Sequence, residues 1–264
     1  MIGTSLIESL VHCVTISHKI AHYRRLGLLL LAAPESGKTS IVMANGAKHV
    51  LPIAVITGRS VEVLIGQSPE VEYIAFNDLT AIRALSHEAQ MLLITLLNQI
   101  TQDERGTIAF AGQRPTEITR PLGVIACLPF HTFSHHRARW KEIGFVSRML
   151  PFAYSYPDHL VATIKDSIDH VNGSPRKIRP RTIRKSPVAI RCSSGHTKTI
   201  RDLADRKAIK LGQLGLRLLS SYHCLVRAHA LRAGRRLVTV NDIDFLVDVD
   251  RHISITDCEP LARV

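Results

Sequence analysis

The run LLLLAAPESGKTS, residues 28–40, constrains this chain more than any other feature. Four consecutive leucines suit a strand covered on both faces. A loop of small residues follows, and then a segment able to begin a helix. In that context Ala32, Pro34, Glu35, Ser36, Gly37, Lys38, Thr39 and Ser40 form a cradle for phosphate groups. Gly37 lets the backbone close, the helix N-terminus and its N–H groups carry partial positive charge, and Lys38 adds a full one. Thr39 offers a hydroxyl to magnesium. Ala32 stands where the usual pattern has its first glycine, at a place that needs only a small residue. The alternative is a plain strand-turn-helix with an exposed lysine, which G-K-T alone would favour.

Alternation of strand and helix continues. The patterns predict a helix within 5–25 whose period weakens after Val14, helices over 38–49 and 86–102, and strands over 27–31, 51–57, 71–76, 124–128 and 152–156. A hairpin is predicted over 107–119, turning at Gln113-Arg114, and a short helix over 140–148. This is an α/β chain with a mostly parallel sheet. Residues 174–185 (SPRKIRPRTIRK) carry six basic residues and no acidic ones, which marks a boundary. Residues 200–232 read as helical, and residues 240–243 as the cap of a final helix. The expected division is a nucleotide-binding core over 1–172, a basic linker over 173–199 and a helical lid over 200–264.

Asp78 ends the strand YIAF at the sheet edge where ligands of open α/β sheets sit, placed either to hold the magnesium shell or to cap the next helix. Asn77 stands beside it instead of the Glu expected of an efficient hydrolase. A one-residue shift would give Asn77 the metal position and Asp78 the base position, with Glu88 a more distant base.

The net charge of +12 and pI of 9.9 favour a polyanionic partner, nucleic acid first, or else a merely solubilising surface. No apolar run approaches the roughly 20 residues of a membrane span. The N-terminus lacks the pattern of a secretory signal, so the expected location is cytoplasmic, with no membrane partner. Five scattered cysteines suggest reduced thiols, and the His131, His135 and His136 cluster lacks companion ligands for a metal.

The order of phosphate loop, Asp-ended strand, long helix, hairpin, strand, Ser-Arg and basic lid resembles AAA+ ATPases. It resembles most the branch with a hairpin before the sensor strand, which includes the minichromosome maintenance helicases. The resemblance spans residues 28–247 and implies ATP and Mg2+ as cofactors, DNA as partner and a homo-oligomeric ring, a hexamer by analogy. It implies that Arg148, in GFVSRMLPFAYSY, is a finger reaching a neighbour's phosphates, or else a surface arginine. It makes Arg217 a lid arginine contacting the nucleotide of its own subunit. Arg114 and Arg120 would meet nucleic-acid phosphates from the hairpin, and the basic segment 176–185 is either a second DNA-facing element or a linker. Pro129 stands where a polar sensor belongs, so either His131 or Thr132 substitutes or the sensor function is absent.

The function so implied is a helicase-like motor or loader with a recruiting protein. The alternatives are a nucleotide-gated regulatory module with weak hydrolysis and a protein-remodelling ATPase.

Overall fold

The computed structural model describes residues 5–45, 49–53, 70–101, 106–108, 116–118, 121–162 and 187–261. Helix α1 (Ser5–Ile16) leads through a 3-10 turn into β1 (Gly27–Leu31), then α2 (Lys38–Asn45), β2 (Val50–Ile53), β3 (Tyr73–Phe76) and α3 (His87–Ile100). Next come the short strands β4 (Gly106–Ile108) and β5 (Thr116–Ile118), β6 (Gly123–Leu128), α4 (Phe130–Glu142) and β7 (Met149–Ser155). Helices α5 (Ser194–Leu211), α6 (Leu216–Arg232) and α7 (Val240–His252) and the two-residue β8 (Glu259–Pro260) complete it.

The main sheet has six strands in the order β2-β3-β6-β1-β7-β8, and every pairing in it is parallel. All strand C-termini therefore share one edge. Parallel strands are buried on both faces, which is why β1, β3 and β6 are apolar and wholly buried. Strands β4 and β5 pair antiparallel, as the hairpin reading required.

Helix α1 buries Ile7, Leu10, Val11 and Val14, spaced to fall on one helical face. The same hydrophobic cluster runs from sheet residues such as Leu29 and Phe152 into α1 and on to Leu225 of α6 and Leu246 of α7. Among the described residues, no helix is long and apolar enough to cross a membrane.

Three expectations need correction. The short helix lies at Phe130–Glu142, not at 140–148, where a 3-10 turn (Val146–Arg148) leads straight into β7. Its sequence FHTFSHHRARWKE buries only Thr132, Phe133 and Trp140, so it shows little apolar periodicity, while Pro129 before it marks the true start. The 200–232 stretch is two helices, interrupted where Gly212 and Gly215 take left-handed conformations (φ 61° and 82°). The linker ends before residue 199, because Ser193 caps α5 at Ser194 and Val188 already bridges Ile20.

Two histidines make the fold acid-sensitive. Burial lowers His18 to about 4 against the opposing influence of Glu72 and of the hydrogen bond to the Thr15 carbonyl, and burial with the charges of Arg227 and Arg201 lowers His223 to about 4. Both start from 6.5, so the unfolded chain binds more protons between pH 6.5 and 4, and stability falls as pH drops through that window. Allowing for solvent screening, the pair is worth on the order of 2–4 kcal/mol, or roughly 5 °C or more in melting temperature. Thermal melts at pH 7 and pH 4.5 measure this drop, which shrinks in a His18→Gln/His223→Gln variant.

Candidate nucleotide site

The loop after β1 is built to face outward from the shared C-terminal edge. Glu35 and Gly37 are left-handed (φ 61° and 74°) with Ser36 between them of ordinary hand. Alternation of this kind turns successive backbone N–H groups to one side and makes a concavity for anions. A left-handed glutamate costs on the order of 1–2 kcal/mol, so something must hold it. Tyr154 and Tyr156 do, both donating a hydroxyl to the Ser36 carbonyl, at 3.1 and 3.0 Å. Being two residues apart at the end of β7, they emerge on the same face and grip the loop together.

Lys38 opens α2 and turns back over this loop. Its ammonium donates to the carbonyls of Ala32 (3.1 Å) and Ala33 (2.6 Å) and to Ser36 Oγ (3.0 Å). All three ammonium donors are thus engaged within the loop. Burial lowers the Lys38 pKa, against the opposing influence of Cys127, Asp78 and Cys258. An arriving phosphate would replace the carbonyls and supply the counter-charge that burial demands.

Strand β6 lies between β1 and β3, so at roughly 4.8 Å per strand the end of β3 stands about 10 Å from the end of β1. Thr39 spans part of that gap, donating its hydroxyl to the Asn77 carbonyl at 3.0 Å. Asp78 is exposed and accepts the Thr80 amide through Oδ1 at 2.8 Å, capping the 3-10 turn Leu79–Ala84. The capping role is therefore real, and it uses one carboxylate oxygen of two. Asn77 Oδ1 is buried without a hydrogen-bond partner. Thr39, Asp78 and this orphaned carbonyl are hard oxygen donors, which fits magnesium held by few protein groups and by phosphate. Among the described residues no group of three His, Cys, Asp or Glu side chains is arranged for a metal.

His131 and Thr132 lie in the first turn of α4 at the same edge, where Thr132 is buried with its hydroxyl 3.3 Å from His131 Nε2. Glu88 is exposed in the first turn of α3, after the turn that Asp78 caps.

Arg148 ends the turn before β7, at the opposite edge of the sheet. It donates to the Gly144 carbonyl at 2.7 Å, while its Nε is buried without a partner. Arg217 donates to Ser147 Oγ at 2.7 Å, beside Arg148 and away from the loop. At roughly 3.3 Å per residue, Ser147 lies about 20 Å from Tyr154, whose hydroxyl holds the loop. Arg217, in the first turn of α6, thus lies at the far edge of the sheet from the 32–40 loop. Arg24, Arg25, Thr101 and Ser147 join the two arginines around a cavity of about 280 Å³. Arg25 is paired with Glu72. Burial, then the charges of Arg217 and Arg24, lower the Arg148 pKa.

Arg114, Arg120 and the basic segment 176–185 lie outside the described residues. The sequence reading missed the two bracing tyrosines, although the alternation in FAYSY carried their signal. It also missed Cys258, whose thiol pKa is raised by burial and by Asp257 against the opposing influence of Lys38. Comparison with protein-family models gave no match, and comparison with curated proteins gave none either.

Proposed function

We propose that this chain is an AAA+-type ATPase that binds ATP with magnesium in the 32–40 loop, assembles as a ring and acts on DNA as a helicase-like motor or loader. The observation that carries this reading is the placement of Lys38 and Thr39 at the head of α2, with Thr39 joined to the end of β3 where Asp78 stands. Lys38 and the loop amides bind the phosphates, and Thr39 and Asp78 orient the magnesium ion. When bound, that ion offsets charge on the phosphate oxygens. With Asp78 engaged on the metal, Glu88 is the carboxylate left to take the proton of the attacking water.

Arg148 and Arg217 stand too far from their own loop to act on it, so they serve a neighbour's phosphates, stabilising charge that develops in the transition state. The positive charge of the chain supports DNA as the polymer acted upon. The helices of α5–α7 act as the lid.

A second reading, a nucleotide-gated regulatory module with weak hydrolysis, is favoured by Asn77 standing where a catalytic Glu is expected. ATP turnover with and without single-stranded DNA separates the two. The motor reading expects turnover raised by DNA, and binding with no turnover at any DNA concentration would overturn it.

A further inference from the structure

We infer that the corner between α5 and α6 docks into a cleft beside the phosphate loop of a second copy of this chain. Seven large hydrophobic side chains are exposed among the described residues, and three of them fall in this one corner: Ile209 (80% exposed), Leu214 (94%) and Leu216 (74%). Scattered surface hydrophobics need no explanation, but a concentrated projecting set marks an interaction site. The corner is rigid. Gly212 and Gly215 are left-handed, Gln213 N donates to the Ala208 carbonyl at 3.0 Å, and a side chain at Gly215 would meet the Ala208 methyl at 2.9 Å. A preorganised projection loses little entropy on docking. Cations ring it: Lys210, Arg217 and Lys141, whose ammonium lies against Gly212.

The complementary feature is a cleft of about 810 Å³ between α1, α7 and residues 259–261. Half-buried Leu6 and the buried Phe245 and Leu261 line its floor, and Asp244, Asp248 and Glu259 supply acidic groups beside Arg251 and two histidines, in a chain that is otherwise strongly basic. Asp248 is paired with Arg251 of its own helix, while Asp244 and Glu259 face the same cleft. Pairing of β8 with Tyr154 and Ser155 sets this cleft beside the loop that Tyr154 grips. The corner, by contrast, adjoins Ser147 and Arg148 at the opposite edge.

Corner and cleft thus lie at opposite ends of one molecule, so joining them makes a head-to-tail contact, which closes into a ring where the rotation between copies allows it. The same contact turns Arg148 and Arg217 of one copy toward the 32–40 loop of the next. In this respect the inference rests on the ATPase reading. A contact of this kind would be the desolvated anchor of a larger interface, with the acidic and basic groups fixing its register.

Sedimentation velocity with a non-hydrolysable ATP analogue and magnesium tests it, with analogue affinity measured on every variant. Wild-type chain is expected to assemble, and Leu214→Asp to remain monomeric with its melting temperature and analogue affinity unchanged. Lys210→Glu and Asp244→Lys are each expected to weaken assembly about tenfold or more, and the double variant to regain most of that loss. Assembly of Leu214→Asp indistinguishable from wild type overturns the docking, as does a wild-type chain that binds the analogue yet stays monomeric. Absence of analogue binding in a chain that still assembles through Leu214 overturns the ATPase reading alone.

Discussion

Lys38→Ala is expected to weaken ATP binding about a hundredfold, the loss of one charge-assisted contact to phosphate worth roughly 1.5–3 kcal/mol. The lysine is already buried and fully hydrogen-bonded within its own loop, so the exchange of the Ala32 and Ala33 carbonyls for phosphate oxygens determines its contribution. Truncation to alanine also removes the aliphatic stem that fills the loop. Lys38→Met keeps that stem and removes only the charge, so it separates packing from recognition. Titration calorimetry with magnesium-ATP is expected to show the same loss for both variants. Retention of binding by Lys38→Met would assign the lysine a structural role.

Arg148→Ala is expected to leave ATP binding unchanged and to reduce turnover by about 10³-fold or more, the effect of removing an arginine that stabilises the transferring phosphoryl group. The sheet geometry makes this dissociation of binding from turnover a strong expectation. Arg148 and the phosphate loop sit at opposite ends of parallel strands, so the arginine cannot contribute to nucleotide affinity within one subunit. Its buried, unpartnered Nε and the like charges of Arg24 and Arg217 around the same cavity mean that the variant relieves repulsion instead of breaking a structural pair. Arg217→Ala is expected to show the same pattern at smaller amplitude.

Strand identity was legible because parallel strands are buried on both faces, and continuous runs such as GLLLL and GVIACL have few alternatives. The strand-loop-helix around residues 32–40 was legible from the same cause, since a buried leucine strand leads into it. Helix α4 was not, because a polar, histidine-rich helix with only three buried residues carries no strong period. The contact of Arg217 with Ser147 was not legible, because its position within the sequence of α6 is compatible with either end of the sheet. Only the break at Gly212–Gly215, which sets where α6 starts, puts that arginine beside Ser147. The grip of Tyr154 and Tyr156 on Ser36 joins residues 118 and 120 positions apart, a pairing that no local pattern encodes.

In the proposed ring, one copy binds ATP through Lys38 and the next completes the site with Arg148. Turnover by a mixture of Lys38→Ala and Arg148→Ala chains tests it most directly. Each variant alone lacks every complete site, but where an Arg148→Ala subunit faces the arginine of a Lys38→Ala neighbour, one intact site forms. Mixing the two inactive proteins is expected to restore a readily measured fraction of wild-type turnover. A mixture as inactive as its components, from variants that assemble with each other, would contradict it.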